Sequence, residues 1–584
     1  MNLGNIFHRG AFNDCYAINS EEIVVNIRTG KDITKVNLIH GDPYDESKGK
    51  KAYWTAEKSE MIKVYELKHS YIYSIKLKPK FKRQQYYFEI YSNDEKIFYL
   101  EDDFYTEEEL SIKGIMYQYF KFPYINSSDI YMTPQWVKDT IWYQIMPDRF
   151  NKGSNILKSK NLKEWKYEDS MSFYDFYGGD IKGIEMKLEY LKDLGISGIY
   201  LNPIMDSPSC HKYSVRDYYK IDGDFGNDKD MKRLVEKAHK LGIRVMVDAV
   251  LNHSSEEFPF WKDVLEKGKE SKYFNWFFVN ELPVNKDIKD TRNGEYESFS
   301  YDKKMPRLNT NNEEVINYFI DVLKYWVETW DIDGIRFDVG DEISHNFIKR
   351  IRSELKKVKK DLFLLGEVWQ DSVQFLQGDE YDSVMNYPFV DSINNFWIDE
   401  KSTARDLMMA VNRCYSMYKE PVNKVLFNLL DSHDIGRVFS RCRENLDVFF
   451  QELCFLLTME GSPSIYYGTE IAMTGDRDPL NRKCMPWEDI EKGKYDDIIN
   501  DVKKLIYIRN TYSQCKGERI NWLNTSSRLI HYQKLAKGVD EKIGVLMNCE
   551  GKDLKVGDIS NVLFSKKYNE HILEAGGLVI YLIK

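Results

Sequence analysis

The chain has 584 residues, too many for one hydrophobic core, so two to four domains are expected. Its 42% hydrophobic and 30% charged residues are typical of a soluble globular protein. The net charge of −10 is spread without a basic block, which argues against nucleic-acid or anionic-membrane partners, and no apolar run reaches the roughly 18 residues that cross a bilayer.

The start of the chain and its cysteines predict a compartment. Residues 1–10 lack the charged-then-apolar pattern of a signal peptide. The eight cysteines are scattered without paired zinc-type spacing, as expected of reduced thiols. We therefore expect a cytoplasmic protein.

Residues 1–125 are predicted to form a β-sandwich, because short runs at 23–28, 71–77 and 86–91 alternate apolar and polar residues between turn clusters. Residues 126–138 show no periodicity and are predicted to be a linker. A sandwich in front of an enzyme is often a binding or assembly module.

Residues 139–505 alternate short apolar strands with amphipathic helices, which predicts an α/β fold, a (β/α)8 TIM barrel. The interval 251–312 after the third strand is too long for a loop and is predicted to be an inserted subdomain. Residues 506–584 return to short alternating segments and predict a C-terminal all-β domain. The candidate barrel strands are residues 141–146, 196–203, 244–250, 333–339, 362–368, 383–387, 424–430 and 464–467.

Polar residues cluster where the predicted strands end. Active sites of such barrels lie at the C-terminal ends of the strands, and unpaired charges are rarely buried for packing alone. The cluster therefore predicts a catalytic site. Its members are Asp248 and His253 at the end of strand three, Arg336 and Asp338 at the end of strand four, Glu367 at the end of strand five, and His433 and Asp434 just after strand seven.

The fourth strand predicts an ionised carboxylate. With a side-chain period of two, Arg336 and Asp338 share one face, while Ile335, Phe337 and Val339 pack on the other. A guanidinium beside Asp338 keeps that carboxylate charged, as a nucleophile requires. The alternative for this stretch alone is a structural ion pair.

Glu367 is predicted to be the proton donor, because it follows the apolar residues 363–365 and precedes Trp369, so desolvation favours its neutral form. Glycoside hydrolysis uses one ionised and one protonated carboxyl group. Asp434 is then a third carboxylate that grips sugar hydroxyls, with His253 and His433 as neutral hydrogen-bond partners.

Four segments carry a family resemblance. Residues 248–253, 334–338, 366–369 and 430–434 resemble, in order, the four signature regions of the alpha-amylase family of glycoside hydrolases. The similarity to the neopullulanase, cyclomaltodextrinase and maltogenic amylase group covers nearly the whole chain. Further matching segments are residues 40–44, 143–150, 305–309, 385–389, 461–468 and 478–487.

The resemblance implies a retaining double displacement with Asp338 as nucleophile, Glu367 as acid and base, and Asp434 as transition-state stabiliser. Retention requires the first two carboxyl groups to lie roughly 5 to 5.5 Å apart. The implied substrates are cyclodextrins, pullulan or short maltooligosaccharides with α-1,4 and, as a further expectation, α-1,6 bonds. The implied substrate-binding residues are Tyr213, Asp248, His253, Arg336, His433, Asp478 and Arg482.

Some positions depart from that group. Asp341 stands where relatives commonly have Asn, and Phe375 where many have Trp. Glu460 and Thr469 replace the usual Pro and Asp. None belongs to the catalytic three, so the departures concern acceptor preference and product pattern.

No cofactor is expected to be required. Some relatives bind calcium after the first barrel strand, and here Gly179-Asp180 matches them while residues 151–155 lack the usual aspartate. Calcium needs several oxygen ligands, so it is an optional ligand and not an expected one.

Other functions stay open at this point. A transglycosylase or isomerase would use the same machinery with a sugar acceptor in place of water. An inactive sugar-binding barrel would have lost Asp338 or Glu367, and both are present. A metal-dependent barrel hydrolase would show a His-x-His pair on an early strand, and none occurs.

The N-terminal sandwich has two interpretations. In the resembled group it packs over the partner's active-site mouth in a homodimer, which narrows access to short or cyclic substrates. The alternative is a starch-binding module on a monomer. The resemblance favours the homodimer.

Overall fold

A computed structural model describes residues 1–45, 54–93, 95–113, 118–153, 162–165, 172, 174–285, 287–525 and 527–584. The chain forms two compact units. The first contains Met1–Met132 and Ser402–Asn423, and the second contains Thr133–Lys401 and Lys424–Lys584. Across the described ranges, no helix combines the length and the apolar content that crossing a lipid bilayer requires.

The first unit is built on two antiparallel sheets whose inner faces form one core. Val25 and Ile27 from one sheet and Leu38, Phe88 and Ile90 from the other are fully buried, as the alternating pattern requires. One sheet is Cys15–Ala17, Ile23–Gly30, Ser70–Leu77 and Ile62–Glu66; the other is Glu57–Glu60, Lys35–Gly41, Gln84–Tyr91, Lys96–Tyr99 and Phe104–Tyr105, with Phe120–Phe122 beside Gln84–Tyr91.

Among the described residues, the helices that accompany these sheets are Glu107–Lys113, Ala404–Ser416 and Glu420–Asn423. Ala404–Ser416 packs on the strand Ile62–Glu66, and its residue Asn412 donates a hydrogen bond of 3.0 Å to the carbonyl of Glu66. The predicted range 139–505 for the barrel domain includes this helix, whereas the structure groups it with the sandwich.

The second unit contains the TIM barrel, and the predicted fold class is confirmed. Its parallel sheet runs in the order six, five, four, three, two, one, eight, seven, and a bridge between Met385 and Phe427 joins strand six to strand seven. The strands are Trp142–Ile145, Gly198–Leu201, Arg244–Ala249, Gly334–Phe337, Phe363–Gly366, Ser383–Val384, Phe427–Leu429 and Ser462–Tyr466.

Helices surround the sheet because each presents an apolar stripe. In Asp228–Lys240, Met231, Leu234, Val235 and Ala238 recur at the helical period and are buried. The other helices are Pro147–Phe150, Ile181–Met186, Leu188–Leu194, Pro259–Lys267, Glu313–Trp330, His345–Val358, Tyr387–Ile398, Val438–Arg441, Leu446–Thr458, Trp487–Glu491 and Asp496–Thr511.

The predicted insertion follows strand three. It contains the helix Pro259–Lys267 and irregular chain held by antiparallel bridges, among them His253 to Arg307 and Phe277 to Leu308. A short antiparallel pair, Met205–Asp206 with Asp217–Ile221, follows strand two.

The chain ends in the predicted all-β domain. Its antiparallel sheet runs Arg519–Asn524, Leu529–Leu535, Lys542–Asn548, Ile572–Ile583 and Leu554–Lys555, and Val562–Asn569 also pairs with Ile572–Ile583. The helix Asp496–Thr511 precedes this sheet and runs past the predicted domain boundary at 505.

Candidate active site

A cavity of about 490 Å³ lies at the C-terminal ends of the barrel strands. Such a cleft is where parallel barrels place their chemistry. Asp248 and Arg336 do not line it and are themselves buried, with exposures of 2% and 0%. The other eight of the ten predicted site residues do line it: Tyr213, His253, Asp338, Glu367, His433, Asp434, Asp478 and Arg482.

Arg336 connects three carboxylates at the centre of this site. Strands three and four pair in a register that sets Asp248 opposite Arg336. The Nη1 atom lies 2.9 Å from Asp248 Oδ2 and 2.8 Å from Asp338 Oδ1, and the Nη2 atom lies 2.8 Å from Glu367 Oε2. One guanidinium therefore serves carboxylates from three neighbouring strands.

This sharing corrects two expectations about charge. Burial raises the pKa of Asp338 well above its ordinary value; the charge of Arg336 opposes this, and the charges of Glu367 and Asp248 add to it. Arg336 therefore does not single out Asp338 as the ionised group. Glu367 is also not in purely apolar surroundings, because it touches Arg336. Burial raises the pKa of Asp248 as well.

The backbone turns sharply just after Asp338. Strand four ends at Phe337, and Val339 has φ 47°, a left-handed conformation that costs a β-branched residue about 1 to 3 kcal/mol. Val339 lines the cavity, so the prediction that it packs on the far side of the strand is wrong. Its backbone N–H donates a hydrogen bond of 2.9 Å to Glu367 Oε2.

Tyr213 and His433 form the wall beside the carboxylates. The Tyr213 hydroxyl donates to Asp248 Oδ2 over 3.0 Å, and its ring stacks on His433 with centroids 5.4 Å apart. Gln144 Nε2 lies 2.7 Å from His433 Nδ1, so a neutral His433 carries its proton on Nε2, which is 2.5 Å from the Tyr213 hydroxyl. Burial lowers the pKa of His433 well below its ordinary value.

His253 is neutral as well. Burial lowers its pKa to about 4, and its ring stacks on Phe299 from the inserted segment with centroids 4.8 Å apart. Both predicted histidines are therefore uncharged hydrogen-bonding groups at neutral pH.

Asp434, Asp478 and Arg482 line the cavity next to His433. Arg482 Nη2 is 3.3 Å from Asp478 Oδ2 and 3.6 Å from Asp434 Oδ1, and Arg482 Nε donates to the His433 carbonyl over 3.0 Å. Burial, followed by the charge of Glu367, raises the pKa of Asp434 to about 7. The Arg482 cation is thus placed beside Asp434 and Asp478.

Several residues at the site were missed by the sequence analysis. The Tyr200 hydroxyl donates to Asp248 Oδ2 over 2.6 Å, and its position on strand two was the available signal. Trp369 and Tyr387 stack face to face at 3.8 Å, and 45% of Trp369 is exposed. The sequence gives no indication that Phe299 belongs to the site, because its contact with His253 depends on how the insertion folds.

The four positions that depart from the resembled group differ in whether they line the cavity. Asp341 lines the cavity and accepts a hydrogen bond of 3.0 Å from Gln370. Phe375 is buried against His345, and Thr469 is buried and donates to Asp431 over 3.1 Å. Glu460 is also buried. Asp341 is therefore the departure positioned to contact a substrate.

The segment considered for calcium is partly described, since Ser154 and Asn155 lie outside the described residues. Asp180 caps the helix Ile181–Met186, and its Oδ1 accepts hydrogen bonds from the N–H groups of Gly183 and Gly153 at 2.7 and 3.1 Å. Over the described ranges, no group of three or more His, Cys, Asp or Glu residues is arranged to hold a metal ion. Asp180 is thus already engaged in holding the backbone.

Comparison with known proteins identifies the family. The model for the alpha amylase catalytic domain matches residues 144–543, and that for the alpha amylase N-terminal ig-like domain matches residues 1–126. The chain is similar to the intracellular maltogenic amylase of Bacillus subtilis (strain 168), with 38% identity over 546 residues, covering 93% of this chain and 90% of that one. It is also similar to neopullulanase 2 of Thermoactinomyces vulgaris, with 33% identity over 555 residues, covering 94% and 92%.

A solved structure agrees with these sequence relatives. A cyclomaltodextrinase superposes with a TM-score of 0.91 at 31% identity, and the match covers 100% of both chains. The predicted resemblance is confirmed, because the catalytic-domain match covers more than half of the chain and contains all ten site residues. The chain therefore belongs to the alpha-amylase family of glycoside hydrolases.

Proposed function

We propose that this enzyme cleaves α-glucosidic bonds of cyclodextrins, pullulan or short maltooligosaccharides by a retaining double displacement. The observation that carries the proposal is the contact of Arg336 with both Asp338 and Glu367, each at 2.8 Å, beside a cavity of about 490 Å³. Two carboxylates on one guanidinium lie near each other, which supports the short separation that retention needs. Relatives named maltogenic amylase, cyclomaltodextrinase and neopullulanase support the substrate class.

In the first step, Glu367 gives its proton to the glycosidic oxygen while an oxygen of Asp338 attacks the anomeric carbon. The bond between that carbon and the leaving oxygen breaks, so the leaving sugar departs as an alcohol and the remaining glucosyl unit is esterified to Asp338.

In the second step, the Glu367 carboxylate takes a proton from water, whose oxygen attacks the same carbon. The ester bond breaks, Asp338 is released as a carboxylate, and Glu367 is again protonated. Two inversions leave the anomeric configuration retained.

The surrounding residues hold the sugar ring at the cleaved bond. Tyr213 offers its ring face for stacking, and the neutral side chain of His253 hydrogen-bonds to a hydroxyl. His433 donates its one N–H to the Tyr213 hydroxyl and so fixes that ring in place. Asp434 accepts hydrogen bonds from hydroxyls as the ring flattens toward an oxocarbenium-like transition state. Arg482 and Asp478, paired at 3.3 Å, hold the neighbouring glucose.

Transglycosylation is a second activity of the same intermediate. Trp369 exposes 45% of its surface beside the acid Glu367, which provides a stacking face for a sugar acceptor in place of water. We expect oligosaccharides longer than the substrate when maltose is supplied at high concentration. Products limited to hydrolysis fragments would contradict this.

The main test combines stereochemistry with one substitution. NMR of the first products should show the α-anomer, whereas the β-anomer would overturn the double displacement. Glu367→Gln should lower kcat on maltotriose by roughly 10²- to 10⁴-fold, because general acid catalysis contributes about that much. Initial rates of the native enzyme on cyclodextrin, pullulan and maltotriose would rank the three substrates.

We further propose that the enzyme is cytoplasmic and needs no metal ion for catalysis. The name of the Bacillus subtilis relative, an intracellular maltogenic amylase, supports the location. The two steps balance with protons and carboxylates alone, which supports metal independence. Full activity after dialysis against excess EDTA is expected, and a loss that added calcium restores would contradict it.

A homodimer through the N-terminal domain completes the proposal. Tyr44 and Phe81 are 77% and 51% exposed, and Arg83 lies over both rings, a composition enriched at protein interfaces. Sedimentation at micromolar concentration should show a dimer that Tyr44→Ala with Phe81→Ala dissociates. A monomeric native enzyme would favour the starch-binding module instead.

A further inference from the structure

The chain segment after Asp338 is tied to Glu367 by backbone as well as side-chain contacts. The Glu367 N–H donates to the Phe337 carbonyl over 3.0 Å, and the Gly340 N–H donates to the Glu367 carbonyl over 2.9 Å. Between them, the Val339 N–H donates to Glu367 Oε2 over 2.9 Å. The left-handed φ of 47° at Val339 is the conformation in which these contacts occur together.

Tyr381 holds this turn from behind. Its buried hydroxyl donates to the Gly340 carbonyl over 2.9 Å, and its ring packs against Phe337 with centroids 5.3 Å apart. A Cβ at position 340 would lie 3.0 Å from the Glu367 nitrogen, the Glu367 carbonyl oxygen and the Tyr381 hydroxyl. A side chain at that position would therefore crowd both Glu367 and Tyr381.

These contacts distinguish the two oxygens of the Glu367 carboxyl group. Oε2 receives the Val339 N–H and is in ion-pair contact with Arg336 Nη2 at 2.8 Å. Neither nitrogen can accept a proton, so Oε2 acts as an acceptor. No hydrogen bond to Oε1 is found among the residues that the structure describes. A proton on Glu367 is thus placed on Oε1.

We propose that the segment 337–340 and Tyr381 form a positioning device for the acid, which fixes Glu367 Oε2 as an acceptor and leaves Oε1 to carry the transferable proton. This inference rests on the proposed function. In the first step the proton passes from Oε1 to the glycosidic oxygen, and in the second Oε1 receives the proton from water. Oε2 keeps its backbone donor throughout.

The test uses two substrates that differ in their need for an acid. Maltotriose has a sugar alkoxide leaving group that must be protonated, whereas fluoride leaves α-maltosyl fluoride with little help. Tyr381→Phe removes the hydroxyl and keeps the ring, and Gly340→Ala adds the crowding Cβ. Each variant should lower kcat/KM on maltotriose by about 10-fold or more and change kcat/KM on the fluoride by less than about threefold, because kcat/KM reports the bond-breaking step, in which only maltotriose needs the acid.

Tyr296→Phe is the matched control. Tyr296 is also a buried tyrosine, and its hydroxyl donates a hydrogen bond of 2.8 Å to the backbone carbonyl of Lys303. The Tyr296→Phe variant should leave the ratio of the rate on maltotriose to the rate on the fluoride unchanged. Thermal unfolding of all variants separates folding defects from positioning. Equal losses on both substrates in folded Tyr381→Phe or Gly340→Ala would overturn the inference alone. A native enzyme inactive on both substrates would overturn the proposed function and the inference together.

Discussion

The strand Gly334–Phe337 has a buried carboxylate next to each of its ends, and the pKa values of the two carboxylates shift in opposite directions. Asp333, just before the strand, is 1% exposed and Asp338, just after it, is 6% exposed. Burial raises the pKa of Asp338 well above its ordinary value. For Asp333, burial is outweighed by a hydrogen bond from His239 and the charge of Lys359, and the pKa falls to about 2.

The difference lies in the number of donors for each carboxylate. Asp333 has its own set: His239 Nε2 at 2.7 Å, Arg244 Nη1 at 2.9 Å, Lys359 Nζ at 3.2 Å and the Val245 N–H at 3.0 Å. Asp338 shares one guanidinium with two other carboxylates. Asp333, with donors of its own, is suited to stabilising the fold, whereas Asp338, which shares one cation, lines the cavity where the chemistry takes place.

Asp338→Asn is expected to have the largest effect. Loss of the nucleophile should lower kcat on maltotriose by roughly 10⁴-fold or more, as for other enzymes without their nucleophile. Stability should not fall. A carboxyl with a raised folded pKa loses stability as pH rises above its unfolded value near 4, and neutral asparagine removes that loss.

Two measurements check this variant. Steady-state assays should give the loss of turnover, and thermal unfolding at pH 7 should give a Tm equal to or above that of the native enzyme. Undiminished cleavage of maltotriose would refute the role of Asp338, and a lower Tm would refute the comparison.

Asp333→Asn should show the opposite pattern. Its pKa is lowered from 3.8 to about 2, which corresponds to about 2 kcal/mol of stability at neutral pH. Because the folded pKa is depressed, this stability is present above pH 4 and is lost as pH falls toward 2. The variant should unfold at lower temperature at pH 7 while kcat of the folded enzyme stays within about twofold.

The fold of this strand was predictable from sequence, and the contrast between its ends was not. Apolar alternation placed strand four and put Arg336 and Asp338 on one face, as the period of two requires. The sharing of Arg336 depends on register with two neighbouring strands, which pairs Asp248 with Arg336 and Phe337 with Gly366. A sequence pattern on one strand contains no information about that register.

Val339 and the helix Ala404–Ser416 show two further limits. Val339 fits a strand pattern, but backbone hydrogen bonds to Glu367 turn the chain there. The amphipathic period of Ala404–Ser416 predicts one buried face and is the same whether that face meets a barrel or a sandwich. The local sequence predicts which face of a helix is buried, but the tertiary fold determines which element packs against that face.

Arg244→Gln should give the smallest effect and the finest test of donor saturation. Arg244 is one of several donors to Asp333, and its side chain is 45% exposed, so its loss should cost less than about 1 kcal/mol at pH 7. Removing a cation raises the pKa of Asp333 toward its ordinary value. The fall in Tm on acidification should then begin at higher pH than in the native enzyme.

Arg350→Gln is the matched control, since Arg350 is 41% exposed and pairs at 3.0 Å with Glu313, a carboxylate that is itself 64% exposed. This variant loses one positive charge, as Arg244→Gln does, but from a helix surface that does not contact Asp333. The dependence of Tm on pH between pH 2 and 5 should therefore be the same as in the native enzyme. If the two variants shift that profile equally, the effect belongs to net charge and not to Asp333. A shift in Arg244→Gln alone would show that each donor at this end of the strand contributes separately, which is the condition that Asp338 lacks.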